Sequence, residues 1–432
     1  MKSNETSQDR IYRRLQRKFD RHVTGAPDSP TFLRILKLLF SPDEAGLLEK
    51  VPIRPVTLEA LSAKTAIPPE ALDEKMTDLA GRGLVIDFMS RGKRYFSLPP
   101  VVIGFFEYTF MRTRDGLPMA ELARLFDRYM KEDDRFARSV FQGTTQIGRS
   151  LVREEAIPEE DHTEVLDWER ATGIIGNART VGLSLCACRH KAGLLEKACD
   201  GPVETCLSFD FAADTLIRSG LAKPIPVGEA LEILETCKAA GMAQTGDNVK
   251  RRVSYICNCC GCCCGMMDAI RHYNIRKAIV PSGFIMTVDE AACTGCGRCI
   301  KACPIGVIEW KPEKEAAPGG KKKRPVRVDP DACLGCGVCY TSCKVGAISM
   351  KRREKAVFVP ETAFDKMLAM AVERGKLAEL LFEDPENLSH RALGRMLGIL
   401  EKSVPARALL AVRPLQSVFL QALLGGVRSI LK

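Results

Sequence analysis

The 432-residue sequence predicts a multidomain α+β protein, and three observations carry that reading. All 19 cysteines fall between Cys186 and Cys343, one unit is duplicated at an offset of 40 residues (Val288 to Val328), and helical periodicity dominates on both sides. A chain this long supports two to four cores. The predicted order is a helical module closed by a hairpin over residues 1–110, and a helical bridge over 111–185. A cysteine-rich metal domain over 186–283, expected to be helical, leads into the duplicated unit over 284–351, and a C-terminal helical docking segment occupies 352–432.

Hydrophobic residues at 46% and charged residues at 27% are ordinary globular values. The net charge of +10 permits an acidic protein partner, nucleic acid or an anionic membrane surface and selects none of them. The first twenty residues contain no apolar signal-peptide core, and the cysteines are crowded rather than spread as staples, so a reducing cytoplasm is expected. The most apolar stretches carry charges, Glu107 in one and Arg413 in another, so no transmembrane segment is expected.

In the N-terminal module, PTFLRILKLLF reads as an apolar helix. TLEALSAKT starts after Thr57 as its N-cap, and PPEALDEKMTDLAGRGL has prolines in its first turn and glycines at its end. VIDFMS and RYFSL then flank a turn at Arg91-Gly92-Lys93. This order resembles a winged helix-turn-helix domain, a fold that often binds DNA through its third helix. Here that helix carries Glu70, Asp73, Glu74 and Asp78 against Lys75 and Arg82, a balance that favours protein docking over phosphate contact. Residues 111–185 read as helices that bridge this module to the cysteines, with Trp168 as a core aromatic.

The cysteine-rich middle divides into SLCACRHKAGLLEKACDGPVETCLSF and SYICNCCGCCCGMMD. Cys237 stands apart at helical spacing with Ala230, Ile233 and Leu234 and reads as a buried structural thiol. Ten cysteines remain: Cys186, Cys188, Cys199, Cys206, Cys257, Cys259, Cys260, Cys262, Cys263 and Cys264. Adjacent thiols in a Gly-punctuated loop bury poorly and oxidise on exposure, so metal is the economical reading. One or more additional iron–sulfur clusters is the preferred assignment, with zinc and free redox thiols as alternatives. Cys188 with His190 makes a mixed zinc site conceivable, and Arg189, His190 and Lys191 are placed to stabilise thiolates or to serve as plain surface charge.

The duplicated unit aligns VDEAACTGCGRCIKACPIGVIEW with VDPDACLGCGVCYTSCKVGAISM. Each copy contains C-x2-C-x2-C-x3-C, at 293, 296, 299 and 303 and at 333, 336, 339 and 343. Three thiolates within seven residues wrap one corner of a cubane cluster, and the interleaved glycines admit the backbone close to inorganic sulfide. Structural zinc more often uses two separated knuckles. Residues 284–351 resemble a bacterial-type ferredoxin domain with two 4Fe-4S clusters, a pseudo-twofold ββαβ repeat. In that family the fourth cysteine of each run serves the other cluster. The resemblance therefore implies one cluster on Cys293, Cys296, Cys299 and Cys343 and a second on Cys333, Cys336, Cys339 and Cys303. Lys344 replaces the proline that follows Cys303 in the first copy, which adds a backbone donor and a cation and predicts the higher potential for the cluster held by Cys343. The basic run Lys321 to Arg324 between the copies reads as a solvated charge run or as a steering patch for an acidic redox partner.

The C-x-C-R-H and C-C-G-C-C-C segments are similar to those of a poorly characterised group of large 4Fe-4S proteins of anaerobic bacteria, which join an N-terminal helical region to a terminal dicluster ferredoxin. Cys259-Cys260-Gly261 is also similar to part of the cysteine-rich domain of heterodisulfide reductases, whose repeated long spacing this chain lacks. Beyond residue 352 the chain returns to helices, with an apolar stripe through Leu415, Val418, Phe419, Leu423 and Val427 suited to docking. The combined expectation is a cytoplasmic iron–sulfur electron-transfer protein of anaerobic metabolism that works with redox partners or as an oxidoreductase subunit. A redox-sensing winged-helix regulator that binds nucleic acid and a cluster-based reductase subunit are the alternatives. No catalytic residue is assigned.

Overall fold

The computed structural model describes residues 7–159, 167–312 and 324–382, together with residue 395. The N-terminal module begins with α1 (Ser7–Asp20), which buries Tyr12, Leu15, Gln16 and Phe19 on one face at helical spacing. Helix α2 (Pro30–Leu39) starts where the Ser29 hydroxyl accepts from Phe32 N, and α3 (Pro42–Lys50) starts at a reciprocal capping box between Ser41 and Glu44. Strand β1 (Val56–Thr57) leads into α4 (Leu58–Thr65), N-capped by Thr57, and then α5 (Pro69–Gly81). Strands β2 (Ile86–Ser90) and β3 (Lys93–Ser97) form a hairpin around Arg91-Gly92, both at positive φ as a two-residue turn demands, and the sheet order is β1–β3–β2.

Helices α6 (Phe106–Phe110), α7 (Met119–Lys131) and α8 (Arg135–Phe141) complete the helical half. Its centre is an aromatic stack in which Phe19 and Phe105 lie 4.9 Å apart and Phe32 and Tyr129 4.7 Å apart.

The cysteine-rich middle is not the helical domain expected from its sequence. It is built on a six-stranded antiparallel sheet of order β4–β8–β9–β6–β5–β7. Its elements are β4 (Gly148–Ser150), α9 (Ala171–Gly176), β5 (Val181–Leu185), α10 (Ala187–Gly193), β6 (Glu204–Phe209), α11 (Asp210–Arg218) and β7 (Lys223–Ile225). Then follow α12 (Val227–Ala239), β8 (Ala243–Asp247), β9 (Tyr255–Cys259) and α13 (Gly265–Tyr273). The strands hold three to six residues, and cysteine and threonine take alternate positions that a strand usually fills with aliphatic residues. Leu207, Ile256, Val181 and Leu183 pack with Ala230 and Leu234 of α12 on one face. The period of two sends Cys206, Cys257 and Cys259 to the opposite face.

The duplicated unit contains β10 (Phe284–Val288), α14 (Arg298–Ala302), β11 (Ile308–Trp310), β12 (Val326–Val328), α15 (Val338–Ser342) and β13 (Ile348–Arg352). Strand β10 pairs with β13 and β11 with β12, both antiparallel, so each copy exchanges strands with the other. One strand rather than two precedes each helix, because the residues between strand and helix are spent on the cysteine loop.

Helices α16 (Ala363–Glu373) and α17 (Leu377–Leu381) return to the protein body. The Glu373 carboxylate accepts from Thr144 N and Thr145 N at 2.8 Å, and Arg374 donates to Val23 O and Val140 O. The apolar stripe from Leu415 onward and Lys321, Lys322 and Lys323 of the basic run lie outside the described residues. Trp168 is half-buried rather than a core aromatic, with the Arg149 guanidinium 4.9 Å above its ring.

Candidate metal centres

Two cavities lie in the duplicated unit, and cysteines from both copies line each of them. Cys333, Cys336 and Cys339 surround the first together with Cys303 of the other copy, and Ile305, Ile308 and Met350 close it with apolar surface. Cys293, Cys296 and Cys299 surround the second together with Cys343, against Val288, Val326 and Ile348. The crossing of the fourth cysteine follows from the strand exchange, since the chain after each short helix runs toward the opposite copy.

Glycine shapes both loops. Gly297 and Gly337 cap α14 and α15 in the left-handed region, at φ 73° and 80°. A Cβ on Gly297 would approach the Trp310 ring to 2.7 Å, and one on Gly337 would meet Arg153 Cβ at 3.0 Å. Backbone N–H groups also face the sulfurs, with Gly335 N donating to Cys333 Sγ at 3.4 Å. The Arg298 N–H holds the thiol of Cys296 below its ordinary range, whereas burial pushes Cys336 up to about 12 and raises Cys303 and Cys339. Cys296 is exposed whereas its counterpart Cys336 is only partly so, while the other two loop cysteines of each copy are buried, so the second cavity is the one nearer solvent. Lys344 and Lys301 are exposed, and Arg298 is half-buried.

Arg153 joins this unit to the middle sheet, and no motif in the sequence marks it. Its side chain is 1% exposed. Its backbone N–H donates to Cys336 O, and its guanidinium donates to Thr341 Oγ1 at 2.8 Å and to Lys238 O and Met242 O at 2.9 Å. Lys238 O lies in the last turn of α12, where it also accepts from Gly241 N at 3.0 Å and where a cation is favoured by the helix dipole. The second junction is Gly261. A Cβ there would fall on the Pro304 carbonyl, whose carbon would be 3.0 Å away, so the cysteine loop packs directly on the residue after Cys303.

Strand register and helix starts position the ten middle cysteines. Cys186 is the N-cap of α10 and Cys188 lies in its first turn, whereas Cys264 is the N-cap of α13. Pairing of Leu207 with Ile256 sets Cys206 beside Cys257, and Thr245 Oγ1 lies 3.2 Å from Cys259 Sγ. The Sγ atoms of Cys199, Cys260, Cys262 and Cys263 all lie within 4.8 Å of one another. Four sulfurs this close suit a single soft ion, for which tetrahedral bonds of about 2.3 Å space the ligands by roughly 3.8 Å. A cubane spreads its thiolates further. Interaction with the Cys263 thiol lowers Cys260 to about 4, and Arg189 assists despite opposing burial.

Arg189 is 1% exposed and faces these sulfurs. Burial disfavours its charge, but the thiols of Cys186, Cys199 and Cys260 outweigh burial and raise its pKa. Its Nη1 donates to Pro202 O at 2.7 Å and its Nη2 contacts Met242 Sδ at 3.4 Å. The neighbouring cations turn elsewhere: His190 Nδ1 pairs with Phe110 O at 2.8 Å and Lys191 with Asp127 at 2.8 Å. Among the described residues, the close group of metal-ligating side chains contains four cysteines and does not include His190. Cys237 is fully buried on α12 and belongs to neither set of sulfurs, and none of the 19 cysteines is in a disulfide.

No curated protein and no solved structure matches this chain. Residues 292–356 match the family model described as a 4Fe-4S dicluster domain, and that match assigns 4Fe-4S cluster binding to the segment whose eight cysteines line the two cavities.

Proposed function

We propose that this protein is an iron–sulfur electron-transfer protein that relays single electrons through two 4Fe-4S clusters to a further thiolate-bound centre in its middle domain. The observation that carries the reading is the pair of cavities, each lined by three cysteines of one copy and the fourth of the other. Cys293, Cys296, Cys299 and Cys343 would hold the outer cluster, and Cys333, Cys336, Cys339 and Cys303 the inner one. When bound, such clusters exchange one electron at a time without bond cleavage. The chain supplies the thiolates, the N–H donors that stabilise negative charge on sulfur, and apolar walls that exclude water.

The exposed Cys296 edge, with Arg298 and Lys301 nearby, is the face suited to an acidic redox partner. The Cys303 cavity adjoins the middle domain through Gly261, Pro304 and Arg153, which supports a route from outer cluster to inner cluster to the middle thiols. The middle centre is read as iron–sulfur because it neighbours this relay, and zinc is the outcome that metal analysis separates from it. The protein would act in a reducing cytoplasm as part of anaerobic metabolism, alone or as an oxidoreductase subunit. Among the described residues, no helix is long and apolar enough to cross a membrane.

The helix–strand–helix–helix–hairpin order of the N-terminal module supports the winged-helix reading, and its charges support docking to protein. Arg94 of the hairpin is engaged with Asp73, Asp87 and Thr77, and Arg82 with Glu44 and Asp78. The hairpin also rests on the middle domain, where the Phe88 and Phe211 rings meet edge to face at 5.0 Å and Arg218 donates to Asp87 at 3.1 Å. Arg82 and Arg94 are thus partnered, whereas Lys75, Arg91 and Lys93 are exposed beside the acidic Glu70, Glu74 and Asp78, a mixed face that leaves DNA-dependent regulation the weaker reading.

The test is anaerobic purification followed by iron, zinc and acid-labile sulfide analysis and EPR at stepped potentials. About eight irons with two reducible cubanes restrict the clusters to the duplicated unit, and about twelve or more support a further cluster, at four irons per cubane. A colourless sample without reducible centres refutes the proposal.

A further inference from the structure

We infer that nine of the ten cysteines of the middle domain build two separate metal centres, an outer one on Cys199, Cys260, Cys262 and Cys263 and an inner one on Cys188, Cys206, Cys257, Cys259 and Cys264. The inference rests on the reading that these thiols hold metal, and it concerns how many sites they form and which sulfurs share a site.

The contacts divide the sulfurs cleanly. In the outer group, Cys260, Cys262 and Cys263 interact with one another and with Cys199, and all four lie within 4.8 Å. In the inner group, Cys206 interacts with Cys257, Cys257 with Cys259, Cys259 with Cys264, and Cys264 with Cys188. This continuous chain of five sulfurs comes from α10, β6, β9 and the cap of α13. Cys186 interacts electrostatically with Cys188 and Cys206 of the inner group and with Arg189.

The surroundings divide in the same way. Cys259 and Cys264 are 6% and 4% exposed and belong to the large apolar core with Met267, Ile270 and Ala243, and Cys188, Cys206 and Cys257 pack against that core. The outer four lie outside it, Cys262 is exposed, and Arg189 supplies their cation. The division has a backbone cause. Cys257 and Cys259 share the sheet face opposite that of Ile256, whereas Cys260 begins the turn after β9 and joins the loop sulfurs.

One buried cysteine is a small hydrophobe. Five in sequence-distant elements, spread more widely than the outer four, form a soft ligand set suited to an iron–sulfur cluster rather than to a single ion. Binding displaces the proton of each ligating thiol to solvent and transfers no electrons.

The experiment uses the full chain prepared anaerobically, with iron, zinc and sulfide measured per chain. The inner double variant is Cys206→Ser with Cys257→Ser, the outer one is Cys199→Ser with Cys263→Ser, and the fourfold variant combines them. The expected result is that each double variant loses its own metal complement, that the losses add in the fourfold variant, and that the dicluster EPR signals persist as the check on folding. The inference is overturned if the inner pair leaves metal content unchanged, or if either pair removes the same metal as all four. Should the variants fail to fold, anomalous diffraction at the iron and zinc edges on the unmodified chain decides: one metal site in each sulfur group supports the inference, and a single site or a disulfide within the inner group refutes it. Absence of all metal beyond the dicluster iron sinks the metal-bearing reading of the middle domain as well, whereas a single site shared by both groups sinks this inference alone.

Discussion

Replacing Arg153 by methionine tests how the two halves of the relay communicate. The side chain is buried between Cys336 and α12, and methionine keeps most of its volume while removing the charge and three hydrogen bonds. The acceptors stay partly satisfied. Lys238 O also takes Gly241 N at 3.0 Å, and Met242 O takes Gln244 Nε2 at 3.1 Å. Bonds to a charged donor contribute about 1.5–3 kcal/mol each, but burial opposes the guanidinium charge, lowers its pKa and offsets much of that sum. The net cost to stability is therefore about 2 kcal/mol.

The electrical effect is the sharper one. A unit charge within ~8 Å contributes on the order of 2 kcal/mol at an effective dielectric of about 20. With about 59 mV per tenfold change for a one-electron couple, the cluster beside Cys336 should fall by roughly 50–100 mV, because its reduced form loses a stabilising cation. EPR-monitored titration reads both clusters in one sample. Arg153→Lys should restore most of the potential. An unchanged or raised potential, or an equal shift of both clusters, refutes the reasoning.

Three further perturbations follow from the same geometry. His22 is 6% exposed, and burial with help from Lys376 and Lys18 lowers its pKa to about 3. Its neutral form thus contributes stability that is present above about pH 6.5 and lost as the pH falls toward 3, on the order of 4 kcal/mol, so His22→Leu should flatten denaturation midpoints across that window. Asp87→Ala leaves Arg218 without its carboxylate and Arg94 with Asp73 and Thr77, which should cost about 2 kcal/mol after allowance for the exposed part of Arg218 and should speed proteolysis of the hairpin at residues 86–97. A hairpin as resistant as before would count against its docking on α11. Lys344→Pro removes an N–H and an exposed charge, so the cluster cavity lined by Cys343 should lose on the order of 20 mV, less than for Arg153 because solvent screens the charge. A titration curve that does not move would assign Lys344 to solvent alone.

The short-range features were legible from the residues alone. Thr57 marks a helix start because a cap needs only its own next three residues. The doubled C-x2-C-x2-C-x3-C spacing names eight thiols in one unit for a similar reason, since three sulfurs on one short loop converge without outside help. The middle sheet was not legible. Cysteine, serine and threonine occupy its inner positions at 184, 206, 245, 257 and 259, so apolar alternation was lost although the backbone period of two was intact. Arg153 gave no signal because its partners lie 85 to 188 residues away.

The sequence by itself determined how much sulfur this protein carries, that it is concentrated in one region, and that eight thiols have the spacing of a dicluster domain. Tertiary structure alone decided which of the other ten sulfurs meet, that His190 turns away while Arg189 turns inward, and that the loop at Gly261 rests on Pro304. The reason is that these neighbours are created by strand register and by packing between segments far apart in the chain, and local spacing carries no record of either.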